Sequence, residues 1–530
     1  MTSTEVRRTD SIPATPPGSP PSLSPRELGR WGWRQLTSMR TALMLLFLLA
    51  LAAIPGSVVP QQAVDSLRTS RWKAQHRTLT PIYERLGLFN VFGSPWFAAV
   101  YLLLAVSLVG CILPRLRIYW RGMRAQPPPA PQNLSRLPDH RHWQTADAPD
   151  AVLERATALL SRHRYRLASG PGTLSAERGY LREAGNLLFH VSVLIVLAGM
   201  AIGSLFGFNG GVIVVVNDNF TNSLSQYDDF APGGRFRPED LDPFTLKVDN
   251  FEVNFIQTGR SAGAAQKFRA NLTVRDSPNG PTRTAQISVN HPLTIHNTKV
   301  FLVGHGYAPH ITVRDGDGNV AYSGPTVFLP TSQDLTSFGV VKVPDAQPTQ
   351  IGLEGEFYPT YAFTKATGPF TAFPDAKNPA ISMLAYRGDL GLDTGAAQSI
   401  YALDKAKMKP ILKANGKPLR LDLPMGATQT LPDGLGSVTF DGLSRFVRLQ
   451  VSRTPGTWLA LTGTSLALVG LLGSLFIRPR RIWVRAREEA GGTVVEIAGL
   501  DRSSGGDLSR ELDKLAADLA QPPLRQEHET

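Results

Sequence analysis

Cysteine is nearly absent from this chain of 530 residues, whose one thiol is Cys111. A single cysteine excludes an intramolecular disulfide, a C-x-x-C pair for thiol exchange and a C-x-x-C-H site for covalent haem. Adjacent tryptophans are missing too, as are the P-loop and H-E-x-x-H patterns. The motifs therefore give no support to the familiar nucleotide-binding or zinc-protease classes.

Acidic residues are also in short supply, with 43 Asp and Glu against 55 Lys and Arg, for a net charge of +12. Such a balance can indicate nucleic-acid binding. Here, however, the positive charge flanks apolar segments, and membrane topology explains it more simply. The flanking arginines precede the first apolar segment or follow the second and fourth: Arg30, Arg34, Arg40, Arg115, Arg117, Arg121, Arg124, Arg478, Arg480, Arg481, Arg485 and Arg487. We therefore expect no nucleic-acid partner.

Four apolar segments have about the length that a helix needs to cross a bilayer. The sequence thus predicts four transmembrane α-helices, with a large, mostly β extracytoplasmic domain between helices 3 and 4. Because positive residues stay inside, both termini are expected in the cytoplasm of a cell-membrane protein. The basic stretch Arg71, Lys73 and Arg77 opposes this orientation, but four spans from an inside start place it outside. The predicted segments are a disordered cytoplasmic N-terminus (1–29), helices 1 and 2 (30–113), a cytoplasmic insertion (114–183), helix 3 (184–208), the external domain (209–456), helix 4 (457–477) and a cytoplasmic tail (478–530).

The third span contains a histidine, His190, roughly 9 Å along the helix axis from Ala184 at about 1.5 Å per residue. An ionisable side chain at that depth is costly and usually marks a pathway or a ligand site. Gly199, Gly203 and Gly207 recur every four residues and predict a seam where another helix backbone approaches closely. Since Gly199 lies about opposite His190 on the helix, one face is suited to packing and the other presents an imidazole. The alternative is an interfacial histidine that faces headgroups.

Outside the membrane, alternating patterns predict strands. In the external domain, residues 244–248 and 251–255 alternate with a phase slip that predicts a bulge, while residues 300–303 are continuously apolar and predict a strand buried on both faces. In the cytoplasmic insertion, a Pro-rich stiff linker at 126–131 precedes a predicted helix at 150–163. Short strands are predicted at 165–168, 173–176 and 494–497, and a last helix at 508–519.

Four external histidines lie close together in the sequence, as in many metal sites. They are His291, His296, His305 and His310. Both near pairs are five residues apart, and odd spacing on a strand directs side chains to opposite faces, which favours ordinary strand and turn histidines. The stretch 315–319 begins like a calcium loop but has Val320 and Thr326 where such a loop needs Gly and Glu, so a hairpin turn is the better interpretation. His140, His142 and His163 are expected on the solvated surface.

Three stretches resemble the ResB-type cytochrome c biogenesis family. The stretch 36–43 leading to Ile54-Pro-Gly-Ser57 looks like the first span of that family, and Gly185-Asn-Leu-Leu-Phe-His190 looks like the start of its third span. Val289-Asn-His-Pro-Leu293 followed by Gly304-His-Gly-Tyr307 is similar to the strand–turn signature of its external domain. Together with the four-span layout, the resemblance covers residues 30–490.

The resemblance implies a non-catalytic or co-catalytic subunit of the system II machine, which delivers haem and attaches it to apocytochrome c. Its implied partners are a ResC/CcsA-type membrane subunit, apocytochrome c, a thioredoxin-like apocytochrome reductant and membrane lipid. The tryptophan-rich haem-handling segment must come from the ResC-type partner, since this chain lacks adjacent tryptophans. In the family, the histidine of the third span is proposed to ligate a b-type haem transiently, and here that residue is His190; a neutral imidazole is a common haem ligand. No haem role carries over to the external histidines.

Two other functions are compatible with these patterns. A membrane-anchored scaffold would use the β domain to hold partners, with His190 serving only in packing. A small-molecule transporter is less favoured, because the spans hold few polar residues and no inverted repeats. The haem absorbance of the purified complex separates the first alternative from a haem-ligating subunit.

Overall fold

The computed structural model describes residues 24–62, 66–392, 399–489, 491–501 and 508–520. Residues 1–23, most of the predicted disordered N-terminus, lie outside the described residues. The prediction of disorder was wrong for the last part of that segment, because helix α1 (Pro25–Leu36) begins there. Ser24 caps this helix, and the Glu27 side chain accepts from the Ser24 backbone N–H in return, so two unpaired amide groups are satisfied.

Within the described residues, four helices are long and apolar enough to cross a membrane. They are α2 (Met39–Val58), α5 (Pro95–Arg124), α7 (Leu181–Phe206) and α8 (Thr457–Phe476), and they confirm the four predicted spans. The remaining α-helices are α3 (Ser66–Gln75), α4 (Thr80–Arg85), α6 (Pro149–Arg162) and α9 (Leu508–Ala520). Short 3₁₀ helices cover Leu88–Gly93, Leu134–Arg136, Leu224–Gln226 and Pro238–Asp240. Helix α2 continues past Pro55 to Val58.

The strands, in chain order, are β1 (Asp139–Thr145), β2 (Arg166–Gly170), β3 (Thr173–Arg178), β4 (Phe208–Val215), β5 (Asn219–Thr221), β6 (Asp229–Pro232), β7 (Thr245–Phe255), β8 (Ala265–Arg275), β9 (Thr282–Ser288), β10 (Leu293–Ile295), β11 (Thr298–Arg314), β12 (Val320–Pro325), β13 (Leu329–Pro330), β14 (Ser337–Val343), β15 (Ile351–Tyr358), β16 (Tyr361–Thr364), β17 (Gly368–Thr371), β18 (Ala380–Gly388), β19 (Met408–Pro410), β20 (Arg420–Pro424), β21 (Thr428–Leu431), β22 (Gly436–Arg453), β23 (Arg480–Glu489) and β24 (Gly492–Asp501). The chain divides into two units, and the division falls after Ile195 in α7 and after Leu461 in α8.

The first unit contains a five-stranded sheet in the order β1-β24-β23-β3-β2. Its strands come from the predicted insertion and from the predicted tail, which therefore fold as one domain. Helices α6 and α9 cover one face with Leu160, Leu512 and other buried apolar side chains. On the other face, Trp483 packs with Leu134 and donates from Nε1 to the Pro128 carbonyl at 3.0 Å. The Pro-rich linker is thus bound to the sheet.

The second unit holds the β-rich domain, which confirms the predicted fold class. The central sheet of this domain has seven strands, and β11 and β22 are long antiparallel partners in it. One part of these strands, including Val300 and Leu449, packs against the four-stranded sheet β5-β7-β8-β9. Another part, including Ile311 and Phe440, packs against the sheet that contains β14, β15 and β18. Two sheets thus pack against the same long pair of strands, which gives the domain two cores.

Individual strand predictions had mixed outcomes. The register of β7 shifts between Val248 and Asn250, which confirms the predicted bulge. The prediction that residues 300–303 are buried on both faces was wrong. Val300 is buried, but Val303 is half exposed because the pairing with β22 shifts between Leu302 and Gly304 and leaves Val303 unpaired. An apolar run alone does not distinguish a doubly buried strand from one that contains a bulge.

Candidate functional site

His190 lies in the first half of α7, in a sequence that is almost uninterruptedly apolar after Glu183 in the first turn. Its Nδ1 lies 2.7 Å from the carbonyl oxygen of Asn186, one turn earlier. A carbonyl oxygen can only accept a hydrogen bond, so Nδ1 carries the proton. In the neutral ring Nε2 then has a free lone pair, and no described residue forms a hydrogen bond with it. The backbone of α7 therefore holds this imidazole in the tautomer that ligates a metal through Nε2.

Aromatic rings surround the half-buried imidazole. Tyr119 of α5 lies 5.8 Å from it between ring centroids, and Phe189 packs edge-on at 5.4 Å. Sequence reasoning missed Tyr119. The residues around it in α5 are apolar side chains and arginines, and this pattern does not indicate which of them faces α7. The site is thus an imidazole between apolar and aromatic groups, a setting that suits a flat, largely apolar ligand.

One glycine of the predicted seam, Gly199, lies against the backbone of α8, whereas the atoms nearest to Gly203 and Gly207 do not belong to α8. A Cβ atom at Gly199 would lie 2.7 Å from the backbone nitrogen of Ala460. Toward the start of α7, a Cβ at Gly185 would lie 2.7 Å from the nitrogen of Ser474. Gly203 has more room, with the Pro455 carbonyl oxygen at 3.1 Å. The helix that packs at Gly199 is α8 of the same chain. Because Gly199 lies about opposite His190 on α7, His190 and α8 occupy different faces of that helix.

The four external histidines occupy different environments. His291 and His296 lie in exposed turns on either side of β10, and His296 has a positive φ of 51°. His305 and His310 both lie on β11, where Nε2 of His310 is 2.7 Å from the Ser444 hydroxyl. The described residues contain no group of three His, Cys, Asp or Glu side chains placed to hold a metal ion.

His305 is the most perturbed of these histidines. Its ring packs between Phe251 and Phe268, at centroid distances of 5.1 and 5.3 Å. Its Nδ1 is buried and has no hydrogen-bond partner among the described residues. Burial, together with the nearby positive charge of Arg445, lowers the pKa of His305 to about 4. The imidazole is therefore neutral at physiological pH, with its proton favoured on Nε2 because a proton on Nδ1 would have no acceptor.

Other candidate groups from the sequence have structural roles. The stretch 315–319 forms the turn between β11 and β12, where the Asp315 carboxylate accepts from the backbone N–H groups of Asp317 and Asn319. His163 is exposed, as predicted. The prediction of a solvated His140 was wrong, because its Nε2 is buried on the sheet, 3.7 Å from the Glu496 carboxylate. The pairing of β1 with β24, which sequence reasoning missed, causes that burial.

Comparison with known proteins identifies relatives along most of the chain. Residues 39–513 match the model of the ResB-like family. A cytochrome c biogenesis protein CcsB from Synechococcus sp. (strain RCC307) is 24% identical over 492 residues, which cover 91% of this chain and 95% of that protein. A CcsB from Synechococcus sp. (strain CC9902) is 23% identical over 92% of this chain and 97% of its own length. With its four apolar helices, its β-rich domain between the third and fourth of them, and this match, the chain belongs to the ResB-like family of membrane proteins.

Proposed function

We propose that this system II cytochrome c biogenesis subunit handles haem directly and that Nε2 of His190 is one axial ligand of the haem that it passes on. The observation that carries the proposal is the hydrogen bond from Nδ1 to the Asn186 carbonyl. Histidines that bind metals usually donate their second ring N–H to a backbone carbonyl or a carboxylate, which fixes the ring and raises the basicity of the ligating nitrogen.

The surroundings of His190 fit haem as a substrate in transit. Haem bound there supplies an iron with an open axial position and a flat apolar macrocycle. Tyr119 and Phe189 provide aromatic surface beside the imidazole, and α8 packs on the glycine face instead of on the histidine face. A second axial ligand comes, in this proposal, from a helix of a ResC/CcsA-type partner. The haem is b-type and is held only transiently, because covalent attachment takes place on apocytochrome c.

The arginine distribution supports a cell-membrane orientation with the five-stranded sheet in the cytoplasm and the β-rich domain outside. Strands that precede α7 and strands that follow α8 in the sequence form this sheet together. The segments 114–183 and 478–530 therefore share one side of the membrane. The relatives named as CcsB support a role in cytochrome c biogenesis. The external domain is then the part available to apocytochrome c and to a thioredoxin-like reductant.

The test is the substitution His190→Ala in the protein purified with its partner. Alanine is a good helix former, so insertion and abundance should be nearly unchanged. Haem content should fall about tenfold or more, since even the loss of an outer-shell partner at a metal site costs that much. The optical spectrum and the yield of c-type cytochrome report the loss. Added imidazole should restore part of both by occupying the vacated space.

A matched control is His163→Ala. The Nδ1 of His163 also lies against a carbonyl oxygen four residues earlier, at 2.9 Å from Leu159, but its ring is exposed at the end of α6. This variant should leave haem and cytochrome maturation unchanged. Normal haem content and normal maturation in stable His190→Ala protein would instead favour the scaffold function, in which the β domain only holds partners.

A further inference from the structure

A cavity of about 370 Å³ lies where α5 ends and α7 begins, beside the five-stranded sheet. Tyr119, which contacts the His190 ring, is part of its wall. The wall also contains three arginines from three different elements or their flanks: Arg166, Arg182 and Arg481. Since Arg481 comes from a segment far along the chain from Arg166 and Arg182, only the folded sheet brings all three positive charges together. The cavity is therefore next to the proposed ligand site and is lined by cations.

The arginines already hold one carboxylate. Nε of Arg481 donates to Oε1 of Glu177 at 2.9 Å, and Arg166 donates to Oε2 of the same side chain at 2.5 Å. Arg166 also donates to the Met123 carbonyl oxygen and stacks over the Tyr180 ring, so its guanidinium is fixed in place. This pair shows that the cavity wall has the planar donor geometry that recognises carboxylates.

Donors remain after Glu177 is satisfied. Nε of Arg166 is buried without a hydrogen-bond partner among the described residues. Arg182 makes one long contact, from Nε to the Ser474 carbonyl at 3.2 Å. With Glu177 and Glu183 as the acidic wall residues, three arginines leave a net positive charge in the cavity. Buried, unpaired guanidinium donors are costly, so a further carboxylate would be stabilised here.

We propose that this cavity binds the propionate carboxylates of haem while the iron engages His190. The proposal rests on the proposed function, because it assigns the carboxylate end of the same substrate. Tyr119 connects the two parts, since it lines the cavity and contacts the imidazole. A haem held in this way has its charged edge among the arginines at the sheet and its apolar macrocycle beside α7. The arginines thus orient the substrate before it is transferred.

The test compares haem with its dimethyl ester, in which both propionates are blocked. The complete complex in phosphatidylcholine nanodiscs is titrated with each ligand, and absorbance reports ligation by His190. The unmodified protein should bind haem about tenfold more tightly than the ester, because charge-assisted hydrogen bonds are the strong ones. Arg182→Gln and Arg481→Gln should bring the ratio of the ester Kd to the haem Kd towards one. Neither substitution should change the affinity for the ester or the ligation spectrum.

Arg178→Gln is the matched control. Arg178 follows Glu177 on β3, where its guanidinium lies over the Tyr165 ring on the other face of the strand. This variant should keep the unmodified ratio. Glu177→Gln should act in the opposite direction and raise the ratio, since it removes the carboxylate that competes for Arg166 and Arg481. Thermal unfolding of each variant separates a binding effect from a loss of fold.

Equal binding of haem and ester by unmodified protein, with the His190 spectrum present, overturns the cavity proposal and leaves the proposed function standing. If neither ligand gives a His190-dependent spectrum, the proposed function fails. A preference for haem that depends on Arg481 would still support the cavity in that case. Phosphatidylglycerol tests a lipid phosphate as the ligand. If it stabilises the protein through Arg481 while haem and ester bind equally, the proposal is wrong.

Discussion

At the scale of residues, two histidines of this chain illustrate how surroundings set chemistry. A carbonyl oxygen one turn away holds the proton of His190 on Nδ1 and leaves Nε2 available. His305 has the opposite arrangement, because its Nδ1 is buried between phenylalanines and the described part of the chain offers it no acceptor. The first ring keeps the Nε2 lone pair free, whereas the second is held as a neutral part of the β domain's packing.

The low pKa of His305 predicts that acid destabilises the β-rich domain. Its pKa in the folded state, about 4, is below its ordinary value of 6.5, so the unfolded chain binds the proton more readily. The stability contribution is complete above pH 6.5 and is lost as the pH falls towards 4. Between pH 7 and pH 5 this amounts to about 2 kcal/mol of unfolding free energy. Arg445, which pairs with Asp375 at 2.7 Å, adds to the cost of a charged ring.

Thermal unfolding of the full-length protein in detergent, followed by circular dichroism at the β-sheet band, measures this effect. His305→Gln has no imidazole to titrate and should lose most of the decrease in stability between pH 7 and pH 5. His291→Gln is the control, since His291 is exposed in a turn and should leave the profile unchanged. An undiminished acid effect in His305→Gln would contradict the assignment to this residue.

At the scale of elements, the close packing of α7 against α8 depends on glycines, which carry no side chain. The nearest α8 atoms to a Cβ built at Gly199 and Gly185 are backbone nitrogens at 2.7 Å. Backbone atoms cannot move aside as a flexible side chain can, so the close approach requires glycine at these positions. From the α8 side, a Cβ at Gly470 would lie 2.5 Å from the nitrogen of Phe189. Small residues on both helices therefore create the contact.

Gly199→Leu should destabilise the protein by about 1–3 kcal/mol or more, as overpacking of a tight contact does. Leucine is the better helix former by about 1 kcal/mol, so the loss cannot come from α7 itself. Gly203→Leu should be milder, because its nearest neighbour is farther away. Ala201→Leu adds bulk to the exposed face of the same helix and serves as the control. Thermal unfolding in detergent gives the order, and equal stability of the Gly199 and Ala201 variants would disprove the packing argument.

At the scale of the whole molecule, one domain is assembled from two distant parts of the chain. Strand β23 pairs with β3, so that Arg481 faces Glu177, which lies 304 residues away in the sequence. Strand β24 pairs with β1 in the same sheet. The strands before α7 are synthesised first and must stay on the side of the membrane where the strands after α8 will arrive. The two groups can pair only after the whole β-rich domain between them has been made.

This assembly makes the topology testable with reporters. Fusions at Gln126 and after Thr530 should both report the cytoplasm, and a fusion at Gly316 should report the outside. The arginine distribution predicts these sides, and the shared sheet requires the first two to agree. An alkaline phosphatase and a fluorescent protein reporter at each position provide complementary signals. An outside signal at Gln126 would contradict the orientation, and disagreement between Gln126 and Thr530 would contradict the shared sheet.

The sequence by itself determined the elements whose signals are local. A helix in a bilayer needs a long apolar run, so α2, α5, α7 and α8 were visible from composition. The helix α6 and the bulge in β7 followed from periodicity, and His190 stood out because an ionisable group in an apolar run is costly. Each of these features depends on neighbours within a few residues.

Only the tertiary structure decided which distant segments meet. The sheet formed by the insertion and the tail, the burial of His140 and the approach of Arg481 to Arg166 and Arg182 all depend on pairing between remote strands. The same is true of Tyr119, which comes to the His190 site from another helix. Strand hydrogen bonds are made by the backbone, which is the same for nearly every residue, so the choice of partner leaves little trace in one sequence.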